Sequence, residues 1–285
     1  MDDKISLFRY MSFPEFVSIC INNELRFVHP TSWEDTFEGS LLLLLGTPQG
    51  DRDVVSKLYS NYFNKDVEKT LNGYMRLWSA KYGIYGRCWT TLDESDAMWR
   101  IYSYNKQSVQ IETTATKLQS VIDENGTKYL YSSCIKSVVY DLNQNNVVDD
   151  SIRFLNDDKE LFTPYLHKRK AYKHEEEYRG LLYLNPLGNR TGMLILSAAD
   201  KIKKMNLSDE DNINEICKEI VTWRPDLNDG RIPDEINIKV ENLMDYVVGV
   251  TVNPFAQGWF CDLVGSVCSQ YGLKLKGKSR LYEKV

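Results

Sequence analysis

The stretch Lys173-His174-Glu175-Glu176-Glu177-Tyr178-Arg179-Gly180-Leu181-Leu182-Tyr183 begins with dense charge and ends in apolar residues typical of a β-strand. Side chains alternate between the two faces of a strand, so a strand that begins at or before Glu175 places Glu175, Glu177 and Arg179 on one face. Two carboxylates and a guanidinium are costly to bury unless they pair with each other or bind a ligand. The stretch therefore predicts either a solvated strand end with an internal ion pair or a charged functional site.

The rest of the chain has the composition of an ordinary globular protein. It has 285 residues, of which 42% are hydrophobic and 26% are charged. No segment has a linker composition and no internal repeat is visible, so we predict a single α+β domain over residues 1–285. The formal net charge of −5 argues against a protein that coats nucleic acid generally.

The cysteines and the N-terminus bear on the cellular compartment. The six cysteines include no C-x-x-C pair, and with three histidines they form no metal-ligand pattern, so we predict no metal cofactor. Scattered unpaired cysteines are typical of a reducing cytoplasm. The polar start Met1-Asp2-Asp3-Lys4 is unlike a signal peptide, and the leucine run at 41–45 is too short to span a bilayer. We therefore predict a cytoplasmic protein without membrane association.

Strands and helices alternate irregularly along the chain, which favours an α+β fold with mixed, mostly antiparallel sheets and flanking helices. Ser12 and Glu15 form a capping-box pattern that predicts a helix after the first strand. Residues 51–78 predict one long helix or a pair of amphipathic helices, and residues 149–170 predict a helix interrupted at Pro164. A βαβ-like unit is expected over residues 246–276. Predicted strands include residues 5–10, 25–28, 84–91, 108–112, 135–140, 192–197 and 246–252.

Four short motifs follow one another along the chain. They are Leu7-Phe8-Arg9-Tyr10, then Phe27 with Trp33-Glu34-Asp35-Thr36-Phe37-Glu38, then Met98-Trp99-Arg100-Ile101-Tyr102, and last Glu175-Glu176-Glu177-Tyr178-Arg179. Together they resemble a widespread bacterial family of domains of unknown function, whose pattern is L-x-[KR]-Y, F-x-x-P-x-x-F-N-D-P-F-E, M-W-x-x-Y and E-x-E-[YW]-R. The resemblance covers nearly the whole chain. This chain differs at Trp33, Glu34 and Thr36, where the family usually has Phe, Asn and Pro.

The order of certain residues also resembles the ADP-ribosyltransferase fold, in which a first strand carries Arg or His, a middle strand Ser, Thr or Tyr, and a late strand E-x-E. Arg9, Thr90 or Thr91, and Glu175-x-Glu177 match these positions. The resemblance implies that NAD is a substrate. It implies an ADP-ribosyltransferase or NAD glycohydrolase that acts as a toxin, an effector or a phage-defence enzyme. The acceptor would be a protein, a nucleic acid, a small molecule or water.

The same resemblance implies roles for the catalytic side chains. Glu177 would stabilise the oxocarbenium-like ribose and hold a ribose hydroxyl, because a nearby carboxylate stabilises positive charge that develops in glycoside cleavage. Glu175 would orient or activate the acceptor. Arg9 would donate charge-assisted hydrogen bonds to the pyrophosphate.

Further residues would bind the dinucleotide. Thr90 would fix Glu177 or the nicotinamide ribose. Tyr10, Trp99 or Tyr102 would stack on the nicotinamide ring, although core packing is the usual role of aromatic residues at helical spacing. Arg179 is the remaining candidate for contact with NAD.

Two other functions fit the same residues. A metal-dependent hydrolase or nuclease would use oxygen ligands for Mg²⁺ from converging acids, which here are Glu34, Asp35, Glu38, Glu175 and Glu177. A non-catalytic binding module would instead pair Arg9 with Glu177 and Arg179 with Glu175, and would lack a deep cleft.

Overall fold

Nine strands pair into one sheet in the computed structural model, which describes residues 5–35, 37–103, 105–125, 130–142, 158–185, 191–223 and 233–283. The main path of the sheet is β5-β6-β3-β1-β4-β8-β9, while β2 pairs with β3 and β7. Only the β8–β9 pair is parallel within the described segments. The strands are β1 Ser6–Ser12, β2 Glu24–Val28, β3 Ile84–Thr90, β4 Ser108–Thr114, β5 Leu130–Ser137, β6 Glu177–Leu184, β7 Glu235–Lys239, β8 Gly249–Val252 and β9 Leu275–Lys278.

Helices flank this sheet, so the expected α+β class with a mixed, mostly antiparallel sheet is confirmed. They are α1 Phe13–Asn22, α2 Ser40–Leu44, α3 Pro48–Lys57, α4 Val67–Gly83, α5 Asp96–Ile101, α6 Ala115–Asn125, α7 Thr191–Lys204, α8 Asp209–Trp223, α9 Leu243–Tyr246 and α10 Gly258–Gln270. Short 3₁₀ helices cover Pro30–Ser32, Asp158–Tyr165 and Lys170–Glu175, and a π-helical turn covers Leu58–Tyr62. Within the described segments, no helix combines the length and apolar character needed to cross a membrane.

The start of α1 follows from its sequence. The Ser12 hydroxyl accepts a hydrogen bond from the Glu15 backbone N–H at 3.3 Å, and Asn23 ends the helix in a left-handed conformation with φ of 52°. The expected capping box is only half formed, because the Glu15 carboxylate turns to the guanidinium of Arg9. The first turn of α1 therefore places the Glu15 carboxylate beside Arg9 of β1.

Strand β6 separates two apolar clusters, one on each face of the sheet. Leu181 and Tyr183 belong to the cluster that α3, α4, α7 and α8 cover, while Leu182 belongs to the cluster beneath α1, α6 and α10. This alternation is the period of two that the sequence predicted. Glu177 and Arg179 share the parity of Leu181, so they lie on the α4 side of the sheet.

Several predicted elements differ from the structure. Residues 192–197 form part of α7 and not a strand, since Ile195, Ala198, Ala199 and Ile202 are buried at helical spacing while Leu194 and Leu196 are exposed. Residues 51–78 belong to two helices, α3 and α4. The predicted helix over 149–170 lies in part outside the described residues, and its described part is 3₁₀. Strand β8 begins only at Gly249, because α9 occupies residues 243–246; the parallel β8-α10-β9 unit confirms the predicted βαβ piece.

The sheet forks at one edge of β3. Strand β1 pairs with β3 at Phe8↔Thr90, and β2 pairs with it at Val28↔Gly86, so the two strands part on either side of Cys88. The Trp33 ring packs against β3 beside this fork, so closely that a Cβ on Gly86 would lie 2.4 Å from its Cζ2 atom. Glycine at position 86 is therefore required for Trp33 to lie on the sheet.

We expect Gly86→Ala to destabilise the fold by about 1–3 kcal/mol, because the added methyl overpacks the contact with Trp33. The free energy of unfolding in urea measures this effect. Gly258→Ala is the matched control, since nothing lies within 4 Å of a Cβ at that position. Equal stability of the two variants would contradict the close contact.

Candidate functional site

A cleft of about 270 Å³ opens at this fork. Carboxylates and cations both line it, and they are drawn from β1, β2, β3, β6, the segment after β2 and residues 168–175 before β6. The lining includes the acids Glu34, Asp35, Glu38, Glu175 and Glu177 and the cations Arg9, Arg26, Arg87, Lys168 and Arg179. The cleft is thus the place where the sequence-predicted charged residues meet.

Arg179 lies among the carboxylates of the cleft, which we call its acidic end. The Arg179 side chain is only 1% exposed. Its Nε donates to Glu177 Oε1 at 2.7 Å, its Nη2 donates to Glu177 Oε2 at 2.8 Å, and its Nη1 donates to the Tyr165 carbonyl at 2.6 Å. Nη2 also lies 2.7 Å from Glu38 Oε2, and the guanidinium carbon lies 4.4 Å from the centroid of the Trp33 ring. The bidentate geometry fixes the Glu177 carboxylate in one orientation.

Lys168 is the second buried cation of this end. Its Nζ lies 2.6 Å from Glu175 Oε2, 3.2 Å from Glu177 Oε2 and 3.1 Å from Glu38 Oε1. The ammonium also lies 4.6 Å from the centroid of the Tyr172 ring. We call Glu38, Glu175, Glu177, Lys168 and Arg179 the buried charge cluster.

Glu175 and Glu177 reach this cluster by a route that differs from the prediction. Glu175 ends the 3₁₀ helix 170–175, and Glu176 adopts a left-handed conformation with φ of 41°, so β6 begins only at Glu177. The single continuous strand face is therefore wrong. Lys168 nevertheless joins the two carboxylates, and Arg179 pairs with Glu177 and Glu38 instead of Glu175.

The acids of the cluster differ in their protonation. Burial raises the pKa of Glu177, but the charges of Arg179 and Lys168 outweigh this effect and hold its pKa at about 2. Burial raises the pKa of Glu38, and Arg179 and Lys168 do not fully offset it because Glu177 adds like charge. Glu38 Oε2 also lacks a hydrogen bond of good geometry despite its ion pair. Of Glu38 and Glu177, Glu38 is therefore the carboxylate that more readily takes a proton.

A group of arginines also lines the cleft, and we call Arg9, Arg26 and Arg87 the arginine end. Arg9 donates to the Cys88 carbonyl at 2.7 Å and to Glu15 at 3.1 Å, and Arg87 lies 3.4 Å from the same carboxylate. Arg87 is 4% exposed and its Nε has no hydrogen-bond partner. Burial, with the like charge of Arg9, lowers the pKa of Arg87 to about 10. Glu15 thus compensates only part of the charge, and this end remains electropositive. The predicted pairing of Arg9 with Glu177 is wrong.

The remaining predicted residues divide between the cleft and the core. Tyr102 lines the cleft and is 45% exposed. The Thr90 hydroxyl donates to the Glu175 carbonyl at 2.6 Å, so it fixes the backbone that carries Glu175. Tyr10 and Trp99 are buried together, edge to face with centroids 4.7 Å apart, and the Tyr10 hydroxyl donates to the carbonyl of Asp93. Their contacts are those of core residues.

The acids do not form a metal centre in the described part of the chain. No group of three or more His, Cys, Asp or Glu side chains among these residues is arranged to hold a metal ion. The Asp35 carboxylate accepts from Arg169 at 2.8 Å, and Glu38, Glu175 and Glu177 accept from Lys168 or contact Arg179. Cations thus take the places that metal ions would occupy.

The sequence did not single out Lys168 or Arg87 as site residues, nor did it show that the Trp33 ring covers the Arg179 guanidinium. The basic run 168–170, directly before the acidic stretch, was a signal for a local partner of Glu175 and Glu177. Arg87 alternates with apolar residues in β3, and a buried arginine in such a strand needs a partner or a ligand.

We expect Arg179→Met to destabilise the protein by about 3–5 kcal/mol, because it leaves Glu177 and Glu38 buried with one remaining cation. Urea unfolding at pH 7 measures the loss. Arg52→Met removes an exposed ion pair with Glu210 and should cost less than about 1 kcal/mol. If both variants lost the same small amount, the buried charge cluster would not be a structural requirement.

The pKa of Glu177 also predicts how stability depends on pH. A carboxyl whose folded-state pKa of about 2 is below its ordinary value of 4.5 stabilises the fold above pH 4.5, and this contribution disappears as the pH falls toward 2. We expect the free energy of unfolding to fall more steeply between pH 5 and pH 3 in wild type than in Glu177→Gln. Parallel slopes for the two proteins would exclude this assignment.

Comparison with known proteins finds one family model that is similar to part of this chain, including part of the site. Residues 98–180 match the model of a family described as protein of unknown function, DUF2971. The matched span extends from the second residue after the start of α5 into β6, so it includes Lys168, Glu175, Glu177 and Arg179. No curated protein and no solved structure was found to match the chain. Over residues 98–180 the chain is thus similar to the DUF2971 family, which confirms the expected resemblance to a family of unknown function.

Proposed function

We propose that the cleft binds NAD and cleaves its nicotinamide–ribose bond, with transfer of ADP-ribose to an acceptor or to water. The observation that carries the proposal is that one cleft presents two kinds of charge. Its lining includes the buried carboxylates and also a partly uncompensated group of arginines. NAD has the complementary distribution, because its nicotinamide ring is cationic and its pyrophosphate is anionic.

The acidic end has room for one more positive charge. When ionised, the three carboxylates of the buried charge cluster exceed its two cations by one. A cationic nicotinamide ring beside them would compensate that charge, and Tyr102 supplies an exposed aromatic face in the cleft. In the same pose, Arg9 and Arg26, whose side chains are 24% and 56% exposed, would donate to the pyrophosphate. Arg87 would add its positive charge from its buried position in β3.

The chemistry follows from the protonation of the acids. As the bond between the ribose C1′ and the nicotinamide nitrogen breaks, its electron pair goes to the ring, and neutral nicotinamide leaves. Positive charge develops at C1′, where Glu177, ionised at neutral pH, stabilises it and accepts a hydrogen bond from a ribose hydroxyl. A water or acceptor hydroxyl then forms the new bond to C1′, and Glu175 accepts its proton. Arg179 and Lys168 weaken the field of Glu177 but hold it in place.

An ADP-ribosyltransferase-like arrangement of the sheet is part of this proposal. Its support is the fork between β1, which carries Arg9, and β2, because the fork lies beside β3 and β3 also pairs with the strand that carries Glu177. Such an enzyme would act in the cytoplasm as a toxin, an effector or a phage-defence protein.

A binding module without catalysis is the second candidate. Glu175 and Glu177 already accept hydrogen bonds from Lys168 or Arg179, as expected of charges that stabilise a fold. In that function the cleft would bind NAD or another nucleotide and leave it intact. The cleft, with its volume of about 270 Å³, is the feature that distinguishes nucleotide binding from a purely structural role of these charges.

We expect the purified protein to release nicotinamide from NAD, and Glu177→Gln and Arg9→Ala to slow the release at least about a hundredfold. Release with and without a bacterial lysate separates transfer from hydrolysis. Glu210→Gln, which changes an exposed acid of α8, is the control and should keep full activity. Circular dichroism confirms that each variant is folded.

Two outcomes would contradict the proposed enzymatic activity. If wild type binds NAD in equilibrium dialysis but releases no nicotinamide, the protein is a binding module. If Glu177→Gln retains wild-type release, another group carries the reaction.

A further inference from the structure

A second cavity of about 180 Å³ adjoins the cleft and shares Trp33, Asp35 and Glu38 with it. Apolar and aromatic side chains form most of its remaining wall. They are Pro30, Leu42, Leu43, Tyr82 and Tyr165. The volume is below the range of about 300–1,000 Å³ that drug-sized ligands occupy, so a single substituted ring is the size of ligand that fits.

One cation of this cavity lacks a counter-ion. The Lys81 ammonium, in the last turn of α4, donates to the Leu45 carbonyl at 2.5 Å and lies 5.5 Å and 5.6 Å from the rings of Trp78 and Tyr82. No carboxylate in the described segments lies within ion-pair distance of it. An ammonium has three donors, so two N–H groups remain for a ligand. Burial also lowers the pKa of Lys81, as expected for an amine without a carboxylate partner.

The neighbouring polar groups leave Lys81 as the charge-bearing donor. Burial lowers the pKa of His29, and its Nε2 must carry the hydrogen because it bonds the Lys81 carbonyl, an acceptor, at 3.0 Å. The Tyr165 ring meets Trp33 edge to face, and its hydroxyl has no hydrogen-bond partner among the described residues. Tyr165, with this free hydroxyl, and Lys81, with its partly free ammonium, thus both line a cavity that has aromatic walls.

The carboxylates that border the cavity restrict the charge of its ligand. Asp35 accepts from Arg169, and Glu38 contacts Lys168 and Arg179, so neither compensates Lys81. Both would repel a second anionic group on the ligand. A ligand with one anionic group, directed at Lys81, matches this distribution.

We propose that this second cavity binds a small planar aromatic acid, whose ring lies against Trp33 and Tyr82 and whose carboxylate accepts hydrogen bonds from Lys81. The Tyr165 hydroxyl is the second donor. The site goes beyond the proposed NAD chemistry, because none of its donors belongs to the buried charge cluster or to the arginine end of the cleft.

Calorimetric titration with benzoate tests the site, with benzamide as the neutral probe of the same shape. We expect wild type to bind benzoate at least about tenfold more tightly than benzamide, because the ammonium recognises the charge. Lys81→Met should lose this preference, whereas Lys81→Arg should retain it. Arg9→Ala, in the cleft, should leave the benzoate affinity within about twofold, which excludes binding at the arginine end.

Leu43→Trp gives a test that leaves Lys81 in place. Leu43 lines the cavity and is 52% exposed, so a larger side chain there fills the cavity with little cost to the core. We expect it to abolish benzoate binding. Equal affinity of wild type and Lys81→Met for benzoate, no binding to wild type at millimolar benzoate, or full binding to Leu43→Trp would each overturn the proposal. Nicotinamide release is measured separately, so failure of one proposal leaves the other intact.

Discussion

The burial of the Arg179 charge is the constraint on which the site depends. A guanidinium that is 1% exposed needs compensation on every side, and Arg179 obtains it from Glu177, Glu38 and the Tyr165 carbonyl, with the face of Trp33 alongside. These partners come from β6, from the segment after β2 and from a 3₁₀ helix. One cation therefore ties together three segments that are distant in sequence, and the acidic wall of the cleft is the surface they form.

The same cluster explains how a stable core can border a reactive site. Its two cations hold three carboxylates, and Glu38 is less well compensated than Glu177. Burial and the like charge of Glu177 raise the pKa of Glu38, while Glu177 itself stays ionised. Neighbouring carboxylates with pKa values pushed apart are typical of acid–base sites. The difference follows the geometry, since Glu177 receives two hydrogen bonds from Arg179, whereas Glu38 Oε2 has no hydrogen-bond partner among the described residues.

Local patterns in the sequence correctly predicted those structural features that are determined by interactions between neighbouring residues. The Ser12 cap, the two-residue period of β6 and the terminal βαβ unit depend on neighbouring residues and are present in the structure. The position of Glu175 was missed because the left-handed backbone at Glu176 ends the strand, and α7 was missed because its exposed leucines imitate strand alternation. The partners of Arg9 and Arg179 depend on tertiary packing. Spacing on the short α5 likewise could not show that Tyr102 faces the cleft while Trp99 lies in the core.

Trp33 connects these features because it belongs to both cavities. One aromatic side chain contacts Arg179, meets Tyr165 edge to face and lies on β3, where only a glycine at position 86 leaves room for it. Its ring cannot shift without changing the environment of the buried guanidinium or the wall of the second cavity. A ligand that displaces the ring from one side therefore alters the site on the other. The fork between β1 and β2 makes this arrangement possible, because a continuous sheet would leave no opening beside β3.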